Sequence, residues 1–167
     1  SVLSDNDYSF TYIVIDSAGN ESAESSGLTV TVDATSPSQP ATPDLTSGTD
    51  SGVSTSDNIT NNTTLGFSVG SLTPGDRLFI LAGGALFDSV DITATTQTIT
   101  ITNAVTAGYT AYSKDAAGNT SATSSSLSVT VDIVEPNILA VEIDLAIDSD
   151  SGTKDDDDLT NDYTPEF

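Results

Sequence analysis

The chain contains no cysteine, histidine, methionine or tryptophan among its 167 residues. Without cysteine it can form neither a disulfide nor a thiolate metal site. Without histidine it has no imidazole to act as a catalytic base or as a metal ligand. The Ser-His dyads and triads of nucleophilic catalysis are therefore excluded. The side chains left for chemistry carry mainly oxygen: carboxylates, amides and hydroxyls.

Positive charge is also scarce. Three basic residues, Arg77, Lys114 and Lys154, stand against 25 acidic ones, which gives a formal net charge of −22. Nucleic acids and anionic membrane surfaces are both bound through Lys and Arg, so the sequence predicts neither as a partner. No apolar run reaches the roughly 18 residues that span a bilayer, which predicts no direct membrane insertion.

What the chain does contain is an internal repeat with a period of about one hundred residues. The repeated segments are 16–20 and 115–119 (Asp-x-Ala-Gly-Asn), 28–33 and 127–132 (Leu-x-Val-Thr-Val-Asp), 50–52 and 150–152 (Asp-Ser-Gly), and 57–61 and 157–161 (Asp-x-x-Thr-Asn). This period exceeds the roughly 20–50 residues of solenoid units. Each repeat is therefore expected to be a small domain in a tandem array.

Within the repeat, short alternating segments separated by turn residues predict an all-β fold. Leu65, Phe67 and Val69 alternate with small residues, which is typical of a half-buried strand. Further strands are expected at residues 78–81, 85–90, 98–101, 109–113 and 127–131. About seven short strands per hundred residues predict an immunoglobulin-like β-sandwich in tandem array.

The repeat also divides the chain. Residues 37–134 form a complete repeat, 1–36 the last two strands of a preceding one, and 135–167 the first two strands of a following one. Neither partial repeat is expected to bury a core by itself. Tyr109, at the start of the sixth strand, is predicted to form the tyrosine corner of such sandwiches. Phe10 occupies its place in the preceding repeat, and because it has no hydroxyl, no corner bond is expected there.

At these residues the chain resembles the bacterial immunoglobulin-like (BIg) repeats of giant, calcium-dependent surface adhesins of the repeats-in-toxin type. The resemblance is carried by residues 115–119, 129–132 with Pro136, and 50–61. It implies type I secretion, an extracellular location at the bacterial cell surface, and calcium at or near the domain junctions. The expected partners are neighbouring repeats of the same polypeptide, with a host or surface glycan or protein contacted through other regions. The expected role is a structural spacer in an adhesin stalk that supports cell adhesion or biofilm formation.

Chemistry gives a separate reason to expect calcium. Ca²⁺ takes six to eight oxygen ligands, and the chain offers oxygens but no soft ligands for zinc or copper. Two kinds of site are open. One joins a strand-end carboxylate to loop carboxylates of the following unit: Asp33 with Asp50 and Asp57, or Asp132 and Glu135 with Asp150 and Asp157. The other is built around a loop: Asp16 with Asn20, or Asp115 with Asn119.

Each acidic set also has a simpler interpretation. The Asp-x-Ala-Gly-Asn segment is a good hairpin turn, Asp33 and Asp132 can merely end a strand, residues 50–52 can be an ordinary loop, and the acidic run 155–158 a solvated patch. Recurrence of the first three sets in both copies favours calcium.

An enzyme is not expected, because the acidic residues follow turns and a small sandwich has no obvious cleft. The alternative is a module that binds carbohydrate or a host protein. Tyr8, Phe87 and Tyr163 are the aromatic residues expected outside the core.

Overall fold

The computed structural model describes residues 2–137 together with Ser149 and Thr164. The predicted ligands Asp150 and Asp157, and Tyr163, lie outside the described residues. The chain divides into two compact units, residues 1–133 and residues 134–167. The description below concerns the first unit, and the predicted division into three repeats stays a prediction.

The first unit is built from strands, and residues 2–137 contain no helix. The strands are β1 (Asn6–Phe10), β2 (Leu28–Val32), β3 (Asp44–Leu45), β4 (Ile59–Thr60), β5 (Leu65–Val69), β6 (Arg77–Ala82), β7 (Ala85–Asp91), β8 (Gln97–Ile101), β9 (Ala107–Lys114) and β10 (Leu127–Val131). The predicted strands of the complete repeat are all present, within two residues at each end. The all-β fold class is confirmed.

Strands β3 to β10 form two sheets. The larger has the order β4-β10-β9-β6-β7 and the smaller the order β3-β5-β8. All pairs are antiparallel except β4 with β10, where Ile59 lies opposite Thr130 in a parallel ladder. The two sheets enclose one core, as expected for an immunoglobulin-like sandwich.

The core lies between the inner faces of these two sheets. Its buried apolar residues are Leu45, Leu65, Phe67, Val69, Leu72, Leu78, Ile80, Ile92, Ile99, Ile101, Ala104, Tyr109, Ala111 and Val129. Phe67 and Tyr109 meet across the sheets with ring centroids 4.8 Å apart. In β5, Leu65, Phe67 and Val69 are buried while Ser68 is only partly so, because successive side chains of a strand point to opposite faces.

Strand direction sets two poles of the sandwich. β5 and β9 end, and β6 begins, at one pole, which we call the N-terminal pole (residues 33–38, 73–76 and 115–119). β10 ends beside β4 at the other, which we call the C-terminal pole (residues 46–61, 102–106 and 131–132). The chain therefore enters the complete repeat at one pole and leaves it at the other.

Strands β1 and β2 form a separate hairpin whose register repeats that of β9 and β10. Phe10 lies opposite Leu28 as Tyr109 lies opposite Leu127. The apolar side chains of this hairpin are nevertheless open to solvent: Phe10 is 50% and Leu28 64% exposed, whereas Tyr109 is buried. This pattern is what two strands of an Ig-like sheet show without the opposing sheet.

The predicted tyrosine corner is confirmed. The Tyr109 hydroxyl donates to the Val105 carbonyl oxygen at 2.7 Å and accepts from the Val105 N–H at 3.1 Å. The expectation that the preceding repeat has no such bond is wrong. There the Tyr8 hydroxyl donates to the Ser4 carbonyl at 3.0 Å and accepts from its N–H at 3.1 Å. Tyr8 lies two residues before Phe10 on the same side of the strand, so the corner is shifted rather than lost.

Candidate functional site at the N-terminal pole

Three carboxylates gather at the N-terminal pole. Asp33, Asp76 and Asp115 line one cavity of about 310 Å³, together with linker residues 35–38 and Thr73. They come from three different places: the end of β2, the turn before β6 and the turn after β9. The sandwich therefore brings distant acidic residues to one open, polar concavity.

Asn119 ties this pole to the linker. Its side-chain amide donates to the backbone carbonyl of Asp33 at 3.0 Å and to Asp115 Oδ2 at 2.9 Å. One side chain of the complete repeat thus holds both its own turn and the backbone that leaves β2. This hydrogen bond fixes where the linker meets the sandwich.

The Asp-x-Ala-Gly-Asn segment forms the same turn in both copies. Asp115 Oδ1 accepts from the Asn119 N–H at 2.8 Å, and Gly118 has a φ of 95°, a conformation that favours glycine. In the first copy Asp16 Oδ1 accepts from the Asn20 N–H at 2.9 Å, and the Asn20 amide donates to Asp16 Oδ2 at 2.8 Å. These bonds show that the segment is a turn, whatever else its oxygens bind.

Two carboxylates at this pole, Asp115 and Asp76, have pKa values shifted in opposite directions. Burial opposes ionisation of Asp115, but the hydrogen bonds that it accepts from Asn119, Gly118 and Ala117 together outweigh this and hold its pKa below the ordinary value. Asp76 behaves in the opposite way: burial, then the negative charges of Asp115 and Asp33, raises its pKa. A cation near Asp76 and Asp115 would lower the electrostatic free energy, because it would offset the repulsion that raises the pKa of Asp76.

The donor set fits calcium in kind. It consists of carboxylate, amide and backbone oxygens, which are the ligands that Ca²⁺ takes in flexible geometry. Within residues 2–137, as placed, no three acidic side chains are close enough together to hold a metal ion. Binding at this pole would therefore require Asp33, Asp76 and Asp115 to move closer together.

The structure does not bring Asp33 together with Asp50 and Asp57. Those two lie at the C-terminal pole, where Asp50 Oδ2 accepts from the Asn58 N–H at 3.1 Å and Asp57 Oδ1 from the Ile59 N–H at 3.1 Å. Asp132 lies at the same pole, with its N–H bonded to the Thr60 carbonyl at 2.9 Å. Of the two kinds of site left open by the sequence, the neighbours of Asp33 match the one built around the Asp115 turn.

The remaining predicted ligands have other surroundings. Asp16 and Asn20 form the exposed turn of the first hairpin, where the Asn20 side chain is the main cause that lowers the pKa of Asp16. Glu135 is exposed and belongs to the second compact unit. Asp76 is the acidic residue that sequence reasoning missed. Its equivalents in the neighbouring repeats would fall beyond both ends of the chain, so the internal repeat could not single it out.

A second feature is an aromatic pair on the outer face of the larger sheet. The rings of Phe79 and Tyr112 stack with centroids 4.8 Å apart and an angle of 4° between their planes. Lys114 Nζ lies 5.8 Å from the Phe79 ring centroid. Phe87, which was expected outside the core, packs against it instead, 6.4 Å from Tyr109. Its strand has a register shift opposite residues 80 and 81, which alters the alternation of side chains there.

No helix in the described part of the chain is long and apolar enough to cross a membrane.

Comparison with known proteins places these observations in a family. The family described as "Bacterial Ig-like domain" matches residues 36–133. The chain is also similar to Exoglucanase B of Cellulomonas fimi, with 34% identity over 128 residues. That alignment covers 74% of this chain but 11% of the exoglucanase, so the chain spans about a tenth of that relative's length.

Proposed function

Because the chain belongs to the bacterial Ig-like domain family, we propose that it is a non-catalytic structural spacer, one stretch of a tandem array in an extracellular bacterial protein. The observation that carries the proposal is the hydrogen bond from the Asn119 amide to the Asp33 carbonyl. It joins a turn of the complete repeat to the end of the strand before it, as a joint between consecutive repeats requires. The matching registers of the two hairpins support the same interpretation.

The setting that best suits such a spacer is the stalk of a surface adhesin, with a role in cell adhesion or biofilm formation. Bacterial Ig-like domains are common in extracellular and surface proteins, and the partners of this one would be its neighbouring repeats. The similarity to a small part of an exoglucanase fits a module that separates functional parts of larger proteins. A spacer needs a defined shape and defined joints rather than a cleft.

Calcium at the N-terminal pole would stiffen this joint. Without a cation, the charges of Asp33, Asp76 and Asp115 repel one another across the linker. An ion shared by these residues would hold the linker against the turn. Extracellular calcium modules bind at about 10⁻⁴ to 10⁻³ M, and an ion present at 100 times its Kd adds about 2.7 kcal/mol of stability. That is a large share of the margin of a small domain.

The test compares Asp76→Asn with wild type. The folded-state pKa of Asp76 is raised, so its contribution favours folding below a pH of about 4 and is lost as the pH rises through the folded pKa. In EDTA at neutral pH the variant should therefore melt above wild type, and near pH 3 the two should coincide. Asp88→Asn, on the exposed edge strand β7, is the matched control.

Calcium should reverse this order. Wild type should gain melting temperature and become more elongated in small-angle scattering, whereas Asp76→Asn should gain less. If wild type shows the same melting and scattering profiles in calcium and in EDTA, the calcium joint is wrong. A spacer without metal would then remain, because the Asn119 bond to Asp33 needs no ion.

The alternative function is a ligand-binding module, favoured by the stacked Phe79 and Tyr112 on an open sheet face. Aromatic residues are enriched in the cores of protein interfaces. A glycan array probed with wild type and with Tyr112→Ala tests it. Binding that is lost in the variant supports this function, and no binding by wild type contradicts it for carbohydrates.

A further inference from the structure

The smaller sheet ends in a strand whose outer side is open. β8 is the last strand of that sheet, and it pairs with β5 along its whole length, from Gln97 opposite Val69 to Ile101 opposite Leu65. In an antiparallel pair, the N–H and C=O groups of alternate residues point away from the partner strand. Among the residues that the structure describes, no segment other than β5 forms hydrogen bonds with the backbone of β8. The outer side of β8 is therefore a template for one more strand.

This edge carries no charge. Residues 92–113 contain no Asp, Glu, Lys or Arg, and they are the longest uncharged stretch of the chain. Within β8, Ile99 and Ile101 are buried in the core, whereas Thr98 and Thr100 are exposed on the outer face. β-branched residues favour strand pairing, and a neutral strand has nothing to repel an approaching one.

The other edges of the sandwich have features that prevent strand addition. β3 and β4 have two residues each, too few to hold an added strand. β7, at the edge of the larger sheet, carries Asp88 and Asp91 and faces a register shift at residues 80 and 81. Short strands, charges and bulges are the devices by which natural sheets avoid edge-to-edge pairing. Of these four edges, β8 is the one without such a device.

We propose that β8 is an interaction surface for a second copy of this chain, with the two β8 strands antiparallel about a two-fold axis. A basic partner would be drawn to the acidic surfaces of the chain rather than to this neutral edge. Two copies, each with a formal net charge of −22, repel each other least where both surfaces are uncharged.

The sequence of β8 suits pairing with itself. An axis through Ile99 places Thr98 of each copy opposite Thr100 of the other, and Thr–Thr pairs are among the favourable cross-strand pairs. The smaller sheets of the two copies then form one continuous sheet. Because a two-fold contact uses the same patch on both copies, association through it stops at the dimer.

This contact joins repeats side by side. β8 runs along the sandwich from one pole towards the other, so its edge stays free when consecutive repeats meet at the poles. A strand of five residues makes a small contact, and interfaces below about 1,200 Å² are weak and transient. Linked contacts raise the overall affinity by about 10²–10⁴. The pairing of whole arrays rests on the proposed spacer function, whereas the pairing of one repeat does not.

Sedimentation equilibrium of the whole chain in EDTA tests the proposal. The test variant has Thr98→Lys with Thr100→Lys, which places like charges opposite each other in the pair. The control has Ser128→Lys with Thr130→Lys, two exposed positions on β10, which lies inside the larger sheet. The mass of wild type and control should rise with concentration towards that of two chains, and the test variant should stay at one.

Both variants have the same net charge, less negative than wild type, so loss of association in the test variant alone cannot come from overall repulsion. A wild type that stays at the mass of one chain up to millimolar concentration overturns the proposal. A test variant that associates as wild type does also overturns it, as do masses beyond two chains, which would point to the exposed apolar side chains of β1 and β2. The calcium joint plays no part in EDTA, so the two proposals can fail separately.

A second measurement does not depend on any variant folding. In amide hydrogen exchange of wild type, the β8 amides that point away from β5 should exchange more slowly in concentrated than in dilute solution. The amides of β7, the protected edge, should exchange equally in both. A mass that rises with concentration while the β8 amides keep the same exchange rates overturns the proposal.

Discussion

The Tyr109 side chain links the core of the complete repeat to the loop before β9. Its ring contacts Phe67 and Phe87 in the core, while its oxygen is bonded to both backbone groups of Val105. A side chain that is apolar along its length and polar at its tip can fix a loop to a core in this way. The Tyr109 hydroxyl thus helps to fix the loop before β9, together with the bond from the Ala104 N–H to the Thr63 carbonyl and the bonds between Thr106 Oγ1 and the backbone of Val131.

Tyr109→Phe removes the hydroxyl and keeps the ring. We expect a loss of about 1 kcal/mol in the free energy of unfolding, the usual net value of a hydrogen bond, measured by urea denaturation. Tyr8→Phe is the matched control: it removes the same pair of bonds from the exposed hairpin and should cost less. Equal losses in the two variants would contradict the role given to burial.

The same residue sets a pH dependence. Burial raises the pKa of Tyr109, against a smaller opposing effect of the Val105 hydrogen bond. Its contribution to stability is therefore complete below the unfolded pKa of about 10 and is lost as the pH rises through the folded value. Tyr109→Phe should flatten the alkaline side of the stability profile.

Single residues also show how far the sequence could go. The alternation in β5 and the position of Tyr109 were readable because strands and corners leave local patterns. Asp76 was not, since its role comes from burial and from charges that are distant in sequence. The sequence also could not show that Asp50 Oδ1 is buried without a hydrogen-bond partner, because this depends on how loop 50–61 folds back.

At the scale of elements, serine side chains take the place of β10 along part of β9. Where β10 no longer pairs with β9, serine hydroxyls accept hydrogen bonds from the backbone N–H groups of β9. The Ala111 N–H donates to Ser124 Oγ and the Ser113 N–H to Ser121 Oγ, both at 2.9 Å. Ser25 and Ser22 do the same for Tyr12 and Val14 in the first hairpin. The repeated Ser-Ala-x-Ser segments at 22–25 and 121–124 were the available sequence signal.

Ser124→Ala should leave the buried Ala111 N–H without an acceptor. We expect a loss of about 1–3 kcal/mol, the desolvation cost of an unsatisfied buried group, measured by chemical denaturation. Ser25→Ala removes the equivalent bond where the Tyr12 N–H is exposed, so water can replace the hydroxyl and the loss should be smaller. The reverse order would show that the serine segment does not satisfy the strand.

Each of the two hairpins pairs a glycine with a serine across its strands, and the two residues occupy opposite strands in the two hairpins. A Cβ on Gly108 would lie 2.6 Å from Ser126 Oγ, and a Cβ on Gly27 would lie 2.6 Å from Ser9 Oγ. Ser9 is equivalent to Gly108 and Gly27 to Ser126. Each hairpin thus has room for one side chain at this position, on either strand.

Gly108→Ser should therefore destabilise the complete repeat by about 1 kcal/mol, at the low end of overpacking costs, because the Ser126 hydroxyl can rotate away. The double variant Gly108→Ser with Ser126→Gly reproduces the pair of the first hairpin and should recover most of that loss. A double-mutant cycle in urea measures the coupling. Additive effects would show that the two positions are independent.

Not every element was predictable. β4 has two residues, too few to show any periodicity, and its parallel pairing with β10 is a long-range contact. Strands such as β6 and β8 were predicted well because each is several residues long and bounded by turns. The shift of the tyrosine corner from the position of Phe10 to Tyr8 could not be predicted, because it depends on the backbone path of the residues before β1.

At the scale of the whole molecule, the net charge of −22 dominates. Self-repulsion destabilises a compact chain and is screened by salt. We expect the melting temperature to rise by a few degrees when NaCl is increased from about 0.01 M to about 0.1 M, as the Debye length shrinks from about 30 Å to about 10 Å. A flat or falling profile in EDTA would contradict this.

The parallel pairing of β4 with β10 has a mechanical consequence. Because the chain enters and leaves the repeat at opposite poles, tension applied to the two ends of the repeat draws these two strands in opposite directions along their common axis. The hydrogen bonds that leave Thr130 and Asp132 then resist sliding together instead of opening one after another like a zipper. Under load, rupture of the sandwich would have to begin at β4, which is one of its two shortest strands.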